Sequence, residues 1–411
     1  MKVVVFTLGC KVNECESDSL ISAFIEKGFS VSDKLEKADL YIVNTCAVTA
    51  DAEKKSRQMV SRIRAISKEA KIIFTGCAAQ KNPNDFINKP NVTLVTGTAL
   101  KGLIPSLIEE KGVKIFDAPK EYEELLPVKP LRLRAYIKVE DGCNNFCSYC
   151  IIPYLRGRVR SRNPESVIKE INLSKAKEIV INGINLSAYN YNGLGLDYLM
   201  QRLSGVKSRI RLGSLEVRVI TKNLLTALKN LKNFAPHFHL SLQAGSNNTL
   251  KNMNRKYTTE EFISKVDLIR EYFPNAGITT DVIAGFPYET DEDFKKSLEF
   301  IKKVAFSDIH PFRFSRREGT VAFSMPDIDQ SVKKQRLELL LKLKSKLKTD
   351  FINKFIDKEL EFLPEEEKDG YIVGYTDNYI RIYLDKKTPL GEIIKVKLIK
   401  IFEDGAIATP L

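Results

Sequence analysis

Two groups of three cysteines in this sequence have the residue type and the placement needed to bind metal. The first group has CxxxCxxC spacing within DGCNNFCSYC, directly after the predicted strand RAYIKVE, and consists of Cys143, Cys147 and Cys150. Three thiolates this close together favour one soft-metal centre. Structural zinc usually takes four ligands, but no fourth cysteine lies nearby, and the histidines are distant in sequence. The group therefore predicts an iron–sulfur cluster with one iron open for a small molecule, with zinc or inert thiols as the alternatives.

The second group is spread over the first part of the chain, yet its members share one position relative to the predicted strands. Each directly follows a strand, in VVVFTLGC, LYIVNTC and KIIFTGC, and together they are Cys10, Cys46 and Cys77. Because parallel strands end at the same edge of a sheet, the three sulfurs should converge where such sheets bind ligands. Gly9 and Gly76 would let the backbone approach closely there. The placement predicts a second metal cluster, and three ordinary core cysteines are the alternative.

The composition and net charge of the chain indicate its partner and its cellular location. The chain has 411 residues, with 65 Lys and Arg against 52 Asp and Glu, and a net charge of +13. Such an excess favours a polyanionic partner, nucleic acid first, and a lysine-rich solvated surface is the alternative. No apolar run approaches the roughly 20 residues of a membrane span, so no membrane association is expected. We expect a cytoplasmic protein with reduced cysteines, in which Cys15, near the start of a predicted helix, is an ordinary thiol.

The elements that must position the second cysteine group alternate between strand and helix. Up to about residue 118, β-branched runs predict strands at Lys2–Thr7, Leu40–Asn44, Lys71–Thr75 and Val92–Thr96. The segments between them, such as Ser17–Lys27 and Ala50–Ala70, have apolar residues at helical spacing. This alternation predicts an α/β domain with a small doubly wound parallel sheet. The following segment, Pro119–Pro130, is typical of a linker.

A second series of strands and helices then follows and fits a full or partial parallel barrel. Its predicted strands are Ala135–Val139, Glu178–Asn182, Ile210–Gly213, His237–Leu242, Gly277–Ile283 and Asp308–Phe314. Residues 331–358 predict a lysine-rich helix. The tail predicts a small all-β barrel with strands at Tyr371–Tyr375, Tyr379–Leu384, Ile393–Ile401 and Gly405–Ala408. The predicted domains span residues 1–118, 130–345 and 350–411.

Basic residues outside the cysteine groups are candidates for RNA contact. Arginines alternate along YLRGRVRSR and comprise Arg156, Arg158, Arg160 and Arg162. An extended chain would put all four on one face suited to phosphate binding, whereas a loop would leave them solvated. In the predicted C-terminal barrel, Arg381 is interleaved with the tyrosines Tyr371, Tyr375, Tyr379 and Tyr383. These tyrosines would stack bases or simply fill the barrel core.

The CxxxCxxC triplet resembles the hallmark of the radical S-adenosylmethionine (SAM) enzymes. The resemblance implies a partial (β/α) barrel and a [4Fe–4S] cluster on this triplet, whose open iron chelates the amino and carboxylate groups of SAM. Electron transfer would then break the sulfonium and yield a 5′-deoxyadenosyl radical. The resemblance also implies SAM contacts at the ends of barrel strands, from Asn182, Gly183, Asn185, Glu216 and Gln243. A turn or cap role is the alternative for each of these residues.

Over essentially the whole chain, the sequence is similar to the methylthiotransferases, a radical SAM subfamily with an N-terminal three-cysteine domain, a central barrel and a C-terminal TRAM domain. The segments that carry the similarity are TLGCKVNECES, VNTCAVT, TGCAAQ, GCNNFCSYCIIPYLRGRVRSR, HLSLQAGSNNTLKNMNRKYT and DVIAGFPYET. Within the subfamily, TLGCKVN and HLSLQ-GS resemble the branch that acts on threonylcarbamoyladenosine in tRNA. The sequence departs from the family at Val217, at Ala244 and in SRREGT, where Pro, Ser and SPRPGT are common.

The resemblance implies transfer of a methylthio group to carbon 2 of N6-threonylcarbamoyladenosine at position 37 of tRNA. The implied cofactors are SAM and two [4Fe–4S] clusters, with no catalytic side chain beyond the cluster ligands. The cluster on Cys143, Cys147 and Cys150 would generate the radical, and the cluster on Cys10, Cys46 and Cys77 would hold and deliver sulfur. The implied partners are tRNA, which the TRAM-like domain would bind, an electron donor of flavodoxin or ferredoxin type, and a sulfur source.

Two other functions remain open from the sequence. One is a methylthiotransferase of the same class that acts on isopentenyladenosine in tRNA or on a ribosomal-protein aspartate. The other is a zinc-stabilised RNA-binding protein without catalysis, for which the same cysteines would be structural ligands.

Overall fold

The computed structural model describes residues 1–125, 133–385 and 387–411. The chain forms two compact units. Unit 1 consists of Met1–Lys175, Asn182–Gly193 and Ser315–Phe323, and unit 2 consists of Ala176–Ile181, Leu194–Phe314 and Ser324–Leu411. The second half of the predicted linker Pro119–Pro130 lies outside the described residues.

Strands and helices alternate at the start of unit 1, as the sequence predicts. The first elements are β1 (Lys2–Thr7), α1 (Lys11–Glu26), β2 (Ser30–Ser32), β3 (Leu40–Thr45), α2 (Ala50–Ile66), β4 (Lys71–Gly76), α3 (Cys77–Lys81), α4 (Asn84–Ile87), β5 (Val92–Thr96) and β6 (Gly112–Lys114). The strands form one sheet in the order β2-β1-β3-β4-β5-β6, and every neighbouring pair is parallel. The predicted parallel α/β sheet is confirmed, and two short edge strands, β2 and β6, complete it.

Helices cover both faces of this sheet. Alternate residues of a strand point to opposite faces, so each face needs its own apolar partner. On one face the strands pack against Leu20 and Phe24 of α1. On the other face they pack against Met59, Val60 and Ile63 of α2. The central strand β3 is consequently buried along its whole length, which explains its nearly continuous apolar sequence.

All six strands predicted for the second series are present. The elements are β7 (Arg134–Asp141), α5 (Ile152–Arg156), β8 (Arg160–Ser161), α6 (Pro164–Ser174), β9 (Glu178–Gly183), β10 (Asn190–Tyr191), β11 (Leu194–Gly195), α7 (Leu196–Arg202), β12 (Arg209–Leu212), β13 (Ser214–Leu215), α8 (Lys222–Lys229), β14 (His237–Leu240), α9 (Asn247–Asn252), α10 (Thr259–Tyr272), β15 (Gly277–Ala284), α11 (Asp291–Val304) and β16 (Asp308–Arg313). In unit 2, β12 pairs in parallel with β9, and β13 to β16 form a parallel four-stranded sheet. Long helices thus connect parallel strands, as a (β/α) barrel requires.

Capping boxes mark where two of these helices begin. The Thr258 hydroxyl accepts a hydrogen bond from the Glu261 backbone at 3.2 Å, and the Glu261 carboxylate accepts one from the Thr258 backbone at 2.8 Å. Thr290 and Asp293 form the same reciprocal pair at the start of α11. Each box satisfies backbone N–H groups that the first helical turn leaves without partners, so α10 and α11 start at defined residues.

The C-terminal part of unit 2 is a long helix followed by a small closed barrel. The elements are α12 (Gln330–Asn353), β17 (Glu359–Lys368), β18 (Tyr371–Thr376), β19 (Arg381–Leu384), β20 (Ile394–Phe402) and β21 (Gly405–Pro410). The barrel closes in the order β17-β18-β19-β21-β20, which confirms the predicted all-β barrel. The sequence analysis missed β17, because its run of glutamates hides the strand pattern. No helix among the described residues has the length and apolarity needed to cross a membrane.

A buried carboxylate in unit 2 links the strands β9 and β12 to this barrel. Glu178 is fully buried and accepts hydrogen bonds from Arg209 Nε at 2.5 Å and Arg211 Nε at 3.1 Å. Arg211 also donates to the backbone carbonyls of Thr376 and Asp377 at 3.0 and 2.9 Å. One carboxylate therefore pairs with two buried guanidinium groups, and its loss would break both ion pairs and leave Asp377 as the nearby acid.

We predict that Glu178→Gln lowers the free energy of unfolding by about 3–5 kcal/mol, the range for breaking a buried ion pair on one side. Denaturant unfolding monitored by circular dichroism would measure the change. The control is Glu109→Gln, which removes the exposed ion pair with Lys71 at 2.6 Å and should cost less than about 1 kcal/mol. Equal, small losses in the two variants would contradict the role given to Glu178.

Candidate metal centre

The N-terminal cysteines lie at the carboxyl ends of three neighbouring strands. Cys10 is the N-cap of α1 just after β1, Cys46 directly follows β3, and Cys77 begins α3 directly after β4. Because β1, β3 and β4 are adjacent in a parallel sheet, the three thiols share one edge, as the sequence analysis expects. Cys46 and Cys77 are buried, whereas Cys10 is exposed. Burial raises the pKa of Cys46 to about 12.

Two glycines and an asparagine hold these strand ends close together. Gly9 has φ +118°, and a Cβ there would lie 2.7 Å from Cys46 Cβ and 2.9 Å from its sulfur. Gly76 has φ +95°, and a Cβ there would lie 2.5 Å from the Thr45 carbonyl oxygen. The Asn13 amide donates to the Leu8 and Thr45 carbonyls at 2.8 and 2.9 Å. The backbone around the thiols is therefore close-packed, and glycine is required at both positions.

The CxxxCxxC group, Cys143, Cys147 and Cys150, occupies the loop between β7 and α5 in the same unit. The Cys150 backbone donates to the Cys147 carbonyl at 2.9 Å, and the Cys143 backbone donates to the Gly157 carbonyl at 3.1 Å. Burial raises the pKa of Cys143 to about 11 and that of Cys150 to about 12. A bound metal displaces the proton of such a thiol, so these sites gain their charge only together with a cation.

The donor set of each cysteine group is three thiols, and cysteine thiolates are the ligands that hold iron–sulfur clusters. The residues present therefore fit such a cluster. Among the described residues, no group of three or more His, Cys, Asp or Glu side chains is arranged to hold a metal ion.

The four alternating arginines do not form the extended face that their spacing suggests. Arg156 ends helix α5, and only Arg160 belongs to a strand, the two-residue β8. Arg156, Arg160 and Arg162 are buried, with 1%, 8% and 4% exposure. The alternation was misleading here because a helical turn interrupts it.

Ion pairs occupy the three buried guanidinium groups. Arg156 pairs with Glu16 and Asp141 at 2.7 and 3.1 Å, and Arg160 lies 3.7 Å from Asp141. Arg162 pairs with Glu170 and, at 2.8 Å, with Glu124. Buried and paired, they are not accessible to phosphate groups. Arg158 is exposed and lies over the Phe146 ring, so it alone of the four is placed for RNA contact.

Arg156 is surrounded by buried charges from distant parts of unit 1. Burial opposes ionisation of Glu16, yet Arg156, Lys101 and Lys138 outweigh it and hold the pKa of Glu16 well below its usual range. Burial likewise would raise the pKa of Asp141, but Lys138 and Arg156 lower it to about 2. These acids are therefore charged at neutral pH, and sequence analysis could not find them because their partners are far away along the chain.

Three of the predicted SAM contacts belong to the same unit as the CxxxCxxC group, and one of them lies beside Cys143. Asn182 and Gly183 end β9, and the Asn185 side chain lies 3.7 Å from the Cys143 sulfur. The Asn185 backbone donates to the buried Glu140 at 2.6 Å, and burial raises the pKa of Glu140 to about 8. Within the part of the chain that the structure describes, Asn182 Nδ2 and Glu140 Oε1 are buried without hydrogen-bond partners. Such atoms fit a polar ligand like the amino-acid end of SAM.

The other two predicted SAM contacts belong to unit 2. Glu216 follows β13 and forms an ion pair with Arg255 at 3.1 Å. Gln243 lies beyond β14 with φ +68°, and its backbone bonds to Asp281 and Ile283 at 2.9 and 2.8 Å. Both residues thus end parallel strands, as the sequence analysis expects, and their contact with SAM stays a hypothesis.

One segment that the sequence analysis did not assign to the site contacts both cysteine regions. The Ala322 backbone donates to the Ser148 carbonyl at 2.7 Å, inside the CxxxCxxC loop, and Arg317 donates to the Ala47 carbonyl, next to Cys46. Arg317 is 6% exposed. Residues 317–322, which begin within SRREGT, therefore contact the loops of both cysteine groups. The sequence analysis singled out SRREGT only for its departure from the family pattern.

The C-terminal barrel carries the tyrosines and the arginine that the sequence singled out. Tyr375 and Tyr379 stack with ring centres 4.5 Å apart. Arg381 lies over the Tyr383 ring and pairs with Asp404 at 3.3 Å. Tyr383 is buried, and Tyr379 stacks on His237 at 4.2 Å as well as on Tyr375, so its ring is already occupied by neighbours in unit 2. Base stacking by the half-buried Tyr375 stays a prediction.

Comparison with known proteins identifies the class of this chain. Residues 137–301 match the Radical SAM superfamily, and residues 2–97 match the family described as "Uncharacterized protein family UPF0004". The radical SAM methyltransferase TsrM from Kitasatospora setae superposes with a TM-score of 0.57 at 14% identity, over 78% of this chain and 77% of that one. The radical SAM enzyme OxsB gives a TM-score of 0.54 at 12% identity, over 84% and 56%. The central fold is that of a radical SAM enzyme.

Named relatives identify the family to which this chain belongs within the radical SAM enzymes. The Bacillus subtilis (strain 168) threonylcarbamoyladenosine tRNA methylthiotransferase MtaB is 39% identical, over 97% of this chain and 94% of the relative. MtaB of Aquifex aeolicus (strain VF5) is 36% identical, over 96% and 100%. A Thermodesulfovibrio yellowstonii protein named tRNA-2-methylthio-N(6)-dimethylallyladenosine synthase is 36% identical, over 97% and 96%. The chain belongs to the radical SAM tRNA methylthiotransferase family, which is inconsistent with a non-catalytic zinc protein.

The close packing at Gly9 generates a test of the N-terminal cysteine group. Gly9→Ala should displace Cys46 and lower the iron content of anaerobically purified protein, by about half if each cysteine group holds one cluster of the same size. The control Gly28→Ala has the same kind of backbone strain, with φ +83°, but a Cβ there meets nothing within 4 Å. It should keep its iron, and full iron in both variants would contradict the placement of Cys46 as a ligand.

Proposed function

We propose that this protein transfers a methylthio group to carbon 2 of N6-threonylcarbamoyladenosine at position 37 of tRNA. The observation that carries the proposal is the presence of two separate three-cysteine groups within one compact unit. An enzyme that only generates a radical needs one such group. A sulfur-transfer reaction explains the second group, which would hold the sulfur that is transferred. The naming of relatives at 39% and 36% identity as threonylcarbamoyladenosine methylthiotransferases supports this substrate.

In this proposal, Cys143, Cys147 and Cys150 hold one [4Fe–4S] cluster and leave its fourth iron to SAM. A cluster held there would supply the single electron that reductive cleavage of SAM requires. Asn182, Asn185 and Glu140 would orient the amino-acid end of SAM through the polar atoms described above. A radical is needed because the adenine C2–H bond does not react with ordinary acids or bases.

The second group, Cys10, Cys46 and Cys77, would hold the other [4Fe–4S] cluster and present sulfur for transfer, with a second SAM as the donor of the methyl group. Its position at the carboxyl edge of a parallel sheet is where such sheets bind ligands. Exposure of Cys10 at this edge leaves an approach for a sulfur source. An electron donor of flavodoxin or ferredoxin type completes the scheme, and we place the reaction in the cytoplasm, where thiols stay reduced.

Recognition of tRNA would rest on exposed basic and aromatic residues. The target base lies in a single-stranded loop, so no duplex has to be opened. Arg158 in unit 1 and Arg381 with the tyrosines of the C-terminal barrel in unit 2 are the proposed contacts.

We also propose that the chain divides into three domains, at residues 1–118, 130–345 and 350–411, of which the last is the TRAM-like RNA-binding domain.

A second candidate substrate is isopentenyladenosine at the same tRNA position. The Thermodesulfovibrio yellowstonii relative, named for the dimethylallyl substrate, is as similar to this chain as the Aquifex aeolicus one, at 36% identity. The relative at 39% identity is named for threonylcarbamoyladenosine and favours the first candidate, and the identity of the product distinguishes the two.

Expression in a bacterial host that lacks its own methylthiotransferases tests the substrate. Nucleosides from total tRNA would be separated by liquid chromatography and identified by mass. We expect 2-methylthio-threonylcarbamoyladenosine with the wild-type chain and none with the Cys143→Ala, Cys147→Ala, Cys150→Ala variant as the matched control. Methylthio-isopentenyladenosine alone would establish the second candidate instead, and no methylthio nucleoside would refute both.

A further inference from the structure

The side chain of Arg156 connects two of the three N-terminal cysteines. Its Nε donates a hydrogen bond to the Cys77 sulfur at 3.4 Å. Its Nη2 donates to Asn13 Oδ1 at 3.0 Å, and the same oxygen lies 3.8 Å from the Cys10 sulfur, which donates to it. A residue that follows the CxxxCxxC loop thus reaches the other cysteine group.

The remaining donors of Arg156 fix the orientation of its guanidinium group. Nη1 donates to Glu16 at 2.7 Å and to Asp141 at 3.1 Å, and Nη2 donates to the second Glu16 oxygen at 3.2 Å. With Cys77 and Asn13, these acceptors account for all five N–H groups of the side chain. Because the guanidinium fork is planar and rigid, the bond from Nε to sulfur has a fixed direction.

Arg156 belongs to a cluster of buried charged side chains. The Arg156 cluster comprises the acids Glu16 and Asp141 and the bases Lys101, Lys138, Arg156 and Arg160. All six side chains are buried, and the buried carboxyl groups of Glu140 and Glu170 also act on Lys138. Arg156 is the member of this cluster that donates to a cysteine sulfur, so it places a positive charge directly at Cys77.

We propose that Arg156 is a positioning residue that raises the reduction potential of the cluster held by Cys10, Cys46 and Cys77. The inference rests on the proposed function, because it requires that cluster. Hydrogen bonds to ligand sulfurs are one of the factors that set the potential of iron–sulfur clusters. Reduction adds negative charge to the cluster, and a cationic donor at the sulfur favours the more negative state. Loss of the donor should therefore lower the potential.

The test uses the full chain carrying Cys143→Ala, Cys147→Ala and Cys150→Ala, so that only the N-terminal cluster contributes a signal. Arg156→Gln is then added, and the midpoint potential is followed by electron paramagnetic resonance during a redox titration. We expect the equilibrium constant for one-electron reduction to fall at least tenfold, which is a shift of about 59 mV. The variant should fold, because Glu16 keeps Lys101 and Lys138 as partners and Asp141 keeps Lys138 and Arg160.

The matched control is Arg162→Gln in the same background. Arg162 is a buried arginine of the same segment, but its ion pairs are with Glu170 and Glu124 rather than with a residue at the cysteines. Its loss should leave the potential unchanged. An equal shift in both variants, or none in Arg156→Gln, would overturn the inference.

A further variant covers the case in which Arg156→Gln fails to fold or to bind iron. Arg156→Lys keeps the charge but loses the planar fork, and a smaller shift to lower potential is expected. No shift in this iron-loaded variant would overturn the inference. Iron and sulfide analysis of the protein that carries only the three cysteine substitutions distinguishes failure of the proposed function from failure of the role given to Arg156. A background protein without iron refutes the N-terminal cluster itself, whereas iron with an unchanged potential refutes only the role of Arg156.

Discussion

The carboxyl ends of three adjacent parallel strands determine where the N-terminal thiols can lie. β1, β3 and β4 are neighbours in the sheet, so a cysteine directly after each strand is brought to one edge by backbone pairing alone. The close packing at Gly9 and Gly76 then restricts the backbone conformation at the ends of β1 and β4. A site built in this way needs no contiguous motif, and it depends on a rigid sheet whose two faces are buried under helices.

Buried charge connects this edge to the CxxxCxxC loop. Residues from α1, β7, α5 and the turn around Lys101 meet in one network, and the arginine at its centre contacts a cysteine. Burying six charged side chains is costly unless each is paired. Few other arrangements of these side chains would therefore keep every buried charge paired. Asn13 and Glu16, which lie close to Cys10 in sequence, accept hydrogen bonds from Arg156.

The sequence predicts most of the longer strands, the parallel arrangement of the N-terminal sheet and the cysteine groups, because hydrophobic periodicity and the position of a residue after a strand are local signals. It does not predict the burial of Arg156, Arg160 and Arg162, since their acidic partners come from distant segments. The strand β17 was missed for a related reason: its glutamates sit on the solvent side of a barrel whose existence only the other strands reveal. The role of Arg317 is equally non-local, because its contact is with the backbone beside Cys46.

The most direct test of the two-cluster account is the iron and acid-labile sulfide content of anaerobically prepared protein. We expect about eight iron atoms per chain in the wild type, since each cluster holds four. Replacing Cys10, Cys46 and Cys77 by alanine should leave about four, and replacing Cys143, Cys147 and Cys150 should also leave about four. A variant of the N-terminal group that retains all the iron of the wild type would contradict the account.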